Sequence, residues 1–285
     1  MVSHISRRNV IALGAAAALA PAGRLLAQDG TPEASPAASP VALPEATTVK
    51  VGATPVPHAE ILQFVQDNLA GDYNLTIEIV EFTDYVQPNT ALDEGELDAN
   101  YFQHLPYLED FNSEHGTELV PVVPVHIEPL GIYSSSITSL DEVEDGAVVG
   151  IPNDVTNGGR ALKLLEANGL LTLDESVDNP TVIDIVDNPK DLEIVELEAA
   201  QLGRSLQDTT ISVINGNYAL EAELTPAEDA LALESGEDNP YANYLVVNAG
   251  DEKNPEIVLL GALLQSEDVR AFIEETYEGS VIAAF

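Results

Sequence analysis

The sequence predicts an α/β protein of two lobes with a ligand cleft between them, and three observations predict it. Short apolar runs alternate with amphipathic stretches from residue 48 onward, the rhythm of β-α-β units. That rhythm stops at a proline-broken extended stretch, residues 119–135, and then restarts. Polar and aromatic clusters gather at the ends of expected strands, where open sheets take their ligands. They are Thr83-Asp-Tyr85, Asn100-Tyr-Phe-Gln-His104, residues 152–160 and Asn215-Gly-Asn-Tyr218.

The elements follow in order. Residues 6–11 carry a twin-arginine pattern around Arg7 and Arg8, an apolar run follows to Ala20, and Leu25-Leu-Ala27 offers a cleavage site before Gln28. Residues 1–27 are therefore expected to be a twin-arginine signal peptide, and the Pro/Ala/Ser-rich residues 28–47 a linker without a core-forming pattern. Strands are expected at 49–53, 75–82 and 97–102, with helices at 59–69, from 86, and at 105–112. The helix from Val86 has Pro88 in its first turn, where a missing N–H costs nothing. After the extended stretch come strand 147–151, helix 157–168, strand-like 181–186, strand 193–197, helix 198–206 and strand 210–215. Strand 241–247 and a mostly helical 255–277 complete the pattern, and the sheets are expected to be mainly parallel. This gives lobe I as 48–134 plus 240–285 and lobe II as 135–239, with the chain crossing near 133–136 and near 234–241.

Composition removes several functions. Ten basic residues face 49 acidic ones, a net charge of −39; without residues 1–27, which hold three arginines and no acid, it is −42. Such a surface repels nucleic acid and anionic lipid, and a solvated acidic coat accounts for it. There is no Cys, hence no disulfide, thiolate metal site or cysteine nucleophile. No G-x-S-x-G or H-E-x-x-H pattern occurs, and Asp/Glu pairs carry little meaning at this acid density. His126-Ile-Glu128 looks more like strand pattern than metal site. No enzyme activity, cofactor or metal is expected.

One stretch points to chemistry. Ile151-Pro-Asn-Asp-Val-Thr-Asn-Gly-Gly-Arg160 joins an expected strand end to a helix start, with capping residues, two glycines and an arginine. Free backbone N–H groups beside a guanidinium suit a carboxylate. Past residue 27 the arginines are Arg160, Arg204 and Arg270 alone. An ordinary connection whose arginine pairs with a surface acid is the competing reading.

Six ordered motifs carry a resemblance. They are Val51-Gly-Ala-Thr-Pro-Val-Pro-His-Ala-Glu-Ile-Leu62, residues 82–92, residues 95–108, Pro129-Leu-Gly-Ile-Tyr-Ser134, residues 151–160, and Val213-Ile-Asn-Gly-Asn-Tyr-Ala219. Together, from about residue 49 to 285, they resemble the methionine-binding NlpA/MetQ-type lipoproteins, substrate-binding subunits of methionine ABC importers. The resemblance implies a two-lobed periplasmic-binding-protein-like fold of type II. It implies a protein that closes on methionine, or another amino acid or Met-containing dipeptide, and delivers it to a permease and its ATPase; a monomer is expected.

By motif position, Arg160 is expected to hold the ligand carboxylate with Asn157 beside it, and Asn215 the amino-acid end from across the cleft. Tyr85, Phe102 and His104 are expected to wall the side chain, where sulfur–aromatic contacts add to apolar burial. As competing readings, Tyr85 and Phe102 serve as core aromatics, His104 as a structural histidine and Asn215 as a turn residue. His58 fits better as a cap or supporting group. The chain departs from the family at one point: it has no cysteine to carry a lipid. It is expected outside the cytoplasmic membrane, either free or held by an uncleaved leader.

Overall fold

The computed structural model describes residues 40–285. The expected signal peptide, its cleavage site and the linker as far as residue 39 lie outside the described residues. In chain order come β1 (Thr47–Ala53), α1 (Glu60–Asn68), β2 (Leu75–Glu81), α2 (Gln87–Asp93), β3 (Ala99–His104), α3 (Leu105–His115) and β4 (Leu119–Ile127). Then follow β5 (Gly131–Tyr133), β6 (Val148–Pro152), α4 (Val155–Ala167), β7 (Thr172–Leu173), β8 (Ile185–Asp187), β9 (Glu193–Leu197), α5 (Ala199–Leu202), β10 (Ile211–Ile214), α6 (Gly216–Glu221), α7 (Pro226–Asp229) and β11 (Ala232–Leu233). β12 (Ala242–Asn248), α8 (Pro255–Leu264), α9 (Glu267–Tyr277) and β13 (Ile282–Ala283) return the chain to the first lobe.

Two large sheets result, in the orders β13-β4-β12-β3-β1-β2 and β11-β5-β10-β6-β9, and β7 pairs with β8 as a two-stranded ribbon. Each large sheet has its own apolar core. One gathers Val49, Val51, Ile61, Leu62, Leu245, Leu260 and Ile273; the other gathers Ile132, Val149, Ile151, Leu162, Leu165 and Val213. Burial along the strands follows position in the sheet. Edge strand β2 begins with alternation of buried and exposed residues, whereas all six residues of interior strand β3 are buried.

The helices begin where the sequence supplies caps. The Asp154 side chain accepts the Asn157 N–H at 2.9 Å at the start of α4, and the Ser266 hydroxyl accepts from Val269 N at the start of α9. α3 has Pro106 in its first turn and ends on Gly116 at φ +70°, a left-handed position that a glycine takes without strain.

The structure corrects several expectations. The sheets are mixed: β1–β2, β1–β3, β6–β9 and β6–β10 are parallel, while β12 runs antiparallel to both β3 and β4, and β5 antiparallel to β10. β12 arrives straight from the other sheet, without the helical return that a parallel neighbour needs. The first crossing lies at residues 128–130, because Gly131–Tyr133 already pairs with β10; the second spans 234–241. The fold also starts inside the expected linker. Leu43 is buried, and its N–H donates to Tyr73 O at 3.0 Å.

The expected strand at 181–186 opens as a 3-10 turn, where Asp184 takes the N–H and hydroxyl of Thr181, both at 2.8 Å. The expected helix at 198–206 divides at Gly203 into α5 and a 3-10 turn. A β-carbon at Gly203 would stand 2.8 Å from that of Ala222, so the chain passes too close to the end of α6 for a side chain.

Candidate ligand-binding cleft

The two sheets point their clustered strand ends at one narrow cleft with a free volume of about 20 Å³. All six residues singled out from the sequence line it: Tyr85, Phe102, His104, Asn157, Arg160 and Asn215. Phe102 and His104 are two apart on β3 and so share a face of the strand. Asn157 and Arg160 are three apart on α4 and share a face of the helix.

One wall is aromatic. The ring of Tyr85 lies 5.9 Å from Phe102, 5.7 Å from Tyr107 and 5.0 Å from Tyr218, tilted or edge-on as aromatic quadrupoles prefer. Its hydroxyl donates to Asn217 Oδ1 at 2.6 Å, a bond from one lobe to the other. Tyr218 makes a second such bond, to Thr83 O at 3.3 Å.

His104 makes the third, and its tautomer follows from its partners. Nδ1 accepts the Tyr107 N–H at 3.2 Å, which leaves Nε2–H to donate to Asn157 Oδ1 at 3.0 Å. Burial, and then the nearby charge of Arg160, push this imidazole down to about 3, so it is neutral at ordinary pH. Asn157 Oδ1 also accepts from Asn215 Nδ2 at 2.8 Å, while its own amide donates to Asp154 at 2.9 and 3.1 Å.

Arg160 is nearly wholly buried and heavily tethered. Nε lies 3.1 and 3.2 Å from the two carboxylate oxygens of Glu234, and Nη2 pairs with Glu234 Oε2 and donates to Glu128 O at 2.9 Å. The Tyr241 ring packs under the guanidinium at 4.1 Å. Burial alone would raise Glu234, but hydrogen bonds and charge from Arg160 hold it below its ordinary value. Two side-chain atoms of the cleft are buried without a partner, Asn215 Oδ1 and Asn217 Nδ2.

Reasoning from sequence missed Tyr107, Glu128, Asn217 and Asn243, which also line the cleft, and Glu234 and Tyr241, which hold Arg160. Asn217 was within reach, being two residues from Asn215 in the same motif. Glu128 and Asn243 were not, because acids are abundant here and a lone Asn in a strand carries no signal.

Behind the cleft lies a buried group the sequence did not foretell. His126 Nε2 is 2.7 Å and His58 Nε2 3.2 Å from Glu128 Oε1, and His58 Nε2 is also 3.1 Å from Asn243 Oδ1. Thr54 Oγ1 is 2.7 Å from His58 Nδ1, and the Tyr101 hydroxyl bonds His126 Nδ1. Every ring nitrogen of the pair therefore has a hydrogen-bond partner. His58 contacts the cleft-lining Glu128 and Asn243 and is not itself among the lining residues.

Two α/β lobes, a cleft at their strand ends, an aromatic wall and a tethered arginine define a two-lobed binding protein of the periplasmic-binding-protein kind. The profile of the NlpA lipoprotein family matches residues 49–285, and the chain belongs to that family. It is 41% identical over 237 residues to the D-methionine-binding lipoprotein MetQ of Escherichia coli K12, covering 82% of this chain and 87% of that one. The methionine-binding lipoprotein MetQ of Bacillus subtilis is 39% identical over 239 residues, with the same coverage. A nutrient-binding protein from Burkholderia cenocepacia, solved bound to methionine, superposes with a TM-score of 0.81 at 44% identity, covering 83% of this chain and 100% of that one. The family is one of binding proteins, not of enzymes.

Proposed function

We propose that the cleft binds free methionine, or a closely related amino acid, and that the protein delivers it to the permease and ATPase of an ABC importer. One observation carries the reading. Beside the aromatic wall, an unpartnered acceptor, Asn215 Oδ1, and an unpartnered donor, Asn217 Nδ2, share the cleft with the guanidinium of Arg160. An amino-acid head group brings the complementary set, N–H donors on the amine and acceptors on the carboxylate. Buried polar atoms left single cost about 1–3 kcal/mol each, so a ligand that pairs them gains that much. Tyr85, Phe102 and Tyr107 suit an apolar, polarisable side chain such as a thioether.

The methionine ligands of the relatives support the choice of amino acid. Lobe I is 48–134 plus 240–285 and lobe II 135–239 in this reading, adjusted for the crossings at 128–130 and 234–241. Those crossings serve as the hinge, and the lobes close because the closed form binds the ligand better. Native mass spectrometry of the purified protein, followed by release of the bound molecule, tests the reading. A co-purifying mass equal to methionine supports it; a sugar, a metal complex or a peptide would reject it. Chiral chromatography of the released molecule then separates the L and D forms.

The location outside the cytoplasm agrees with the lipoprotein relatives. Export by the twin-arginine route, a monomeric state and release without lipid are the finer parts of the proposal. The first rests on Arg7 and Arg8, and the last on the absence of cysteine. The lipoprotein names of the relatives weigh against the last. N-terminal sequencing and the intact mass of the mature chain decide it: a start near Gln28 with no added mass is the expected result.

A further inference from the structure

Tyr241 ends the second crossing, one residue before β12, and its ring is caught between the lobes. On one side it lies 5.1 Å from the His104 ring of β3, near edge-on at 67°. On the other, the Arg160 guanidinium of α4 stands over its face at 4.1 Å. The backbone brings the ring there. Tyr241 N–H donates to Asn239 Oδ1 at 2.9 Å, and Asn239 Nδ2 donates to Glu234 Oε2 at 2.9 Å and to Ser235 O at 2.8 Å. The crossing thus curls round the arginine, with Glu234 at the edge of the guanidinium and Tyr241 against its face. None of the described hydrogen bonds uses the Tyr241 hydroxyl, so it is the ring that makes the contact.

Two outer hollows meet at this residue. One, with a free volume of about 430 Å³, is lined by Arg160, Lys163, Leu233, Glu234 and Tyr241 among others. The other, of about 450 Å³, lies between α3 and α4 and takes in Pro106, Asp110, Thr156, Lys163 and Tyr241. Arg160 lines both the first hollow and the narrow cleft, so it is a partition between them. Its side chain is nevertheless only 4% exposed, because Glu234 and Tyr241 cover the outer side. That cover matters electrostatically: an ion pair in contact with water is worth little, and one held away from water far more. Glu234 and the Glu128 main-chain oxygen grip the guanidinium through its N–H groups, and hence in its plane. A ring against the face opposes tilting out of that plane.

We propose that Tyr241 is a positioning residue for ligand capture that acts through Arg160. Its ring screens the outer face of the guanidinium from both hollows and holds its plane, so that a carboxylate on the cleft side meets a dry, fixed partner. The preference of the site for a carboxylate then depends on an aromatic ring that does not line the cleft. This rests on the amino-acid reading given above.

Calorimetry on protein freed of ligand tests it with methionine and with methioninol, which carries a hydroxyl in place of the carboxylate. Tyr241→Leu keeps apolar bulk without the ring. It is expected to weaken methionine roughly 2- to 30-fold, the range of a cation–π contact from exposed to desolvated, and methioninol by less than about twofold. Tyr241→Phe, which restores the ring, is expected to recover most of the loss; Tyr241→Met replaces the Leu variant should that one not fold. A purely structural role would weaken both ligands by the same factor, and that result overturns the assignment. So does a Phe variant as damaged as the Leu variant, or a Leu variant that binds methionine as the parent does. Where the parent binds methioninol too weakly to titrate, the order of the Phe and Leu variants with methionine decides alone. A parent that binds no amino acid overturns the amino-acid reading itself, an outcome distinct from a binding parent with indifferent variants.

Discussion

Glu234 grips Arg160 by its Nε and Nη2 side and at the same time accepts the N–H of Leu130 at 3.2 Å, which joins the cleft's arginine to both crossings between the lobes. Asn239 Nδ2, further along the second crossing, bonds the same carboxylate at 2.9 Å. Among the described hydrogen bonds of Arg160 none uses Nη1, so that nitrogen is the one left for a ligand oxygen.

Removal of Glu234 should therefore damage the site from behind. Glu234→Ala leaves a buried guanidinium without its counter-charge, and loss of one partner of such a pair costs roughly 3–5 kcal/mol where burial is complete. Glu234 is partly exposed, so about 1–3 kcal/mol of folding stability is expected, with weaker methionine binding besides. Urea denaturation and calorimetry measure the two. Unchanged stability and unchanged affinity together would show that the pair does not fix Arg160.

Asn215→Ala removes the unpartnered Oδ1 and the bond from Nδ2 to Asn157. The expected loss of methionine affinity is about 1–3 kcal/mol, the cost of stranding ligand polar groups. Tyr85→Phe removes only the bond to Asn217 and keeps the aromatic wall, and about 0.5–1.5 kcal/mol is expected. Reversal of that order would mean that closure across the lobes, not the head group, dominates binding.

Stability should fall on mild acidification. Burial holds His58 at about 4, and His104 and His126 at about 3, whereas the unfolded chain has them near 6.5. Below pH 6.5 the unfolded chain takes up protons that the folded one does not. The stabilisation is therefore whole above pH 6.5 and is lost as pH falls toward the folded values, at up to about 1.4 kcal/mol per pH unit for each ring. Glu128 and Asp154, raised by burial, act in the opposite sense. Urea midpoints between pH 7 and 5 should drop, measured at about 0.5 M salt so that repulsion among surface acids is screened. A flat or rising midpoint would show that the rings are protonated in the fold.

Much of this was legible in the sequence because it is local. The cap at Asp154, Pro88 in the first turn of α2 and the spacing of Asn157 and Arg160 are read within a turn of helix, and the strand-end clusters fall where the cleft is. The direction of β12 was not legible, because it depends on where a strand enters a sheet it left more than a hundred residues earlier. Nor was Glu128. One acid among 49 becomes distinctive only when folding brings His58, His126 and Asn217 around it from separate parts of the chain.

Calorimetry with methionine on ligand-free Arg160→Ala, beside Arg204→Ala and Arg270→Ala, tests the central claim most directly. Arg270 sits on α9, pairing with Glu267 within its own helix, and neither control residue lines the cleft. Arg160→Ala is expected to lose about 2–5 kcal/mol of binding with its circular dichroism unchanged, since the ligand carboxylate would be buried without a charged partner. The two controls should bind as the parent does. An Arg160→Ala protein that binds methionine with parental affinity would contradict the account, because the carboxylate would then be held elsewhere.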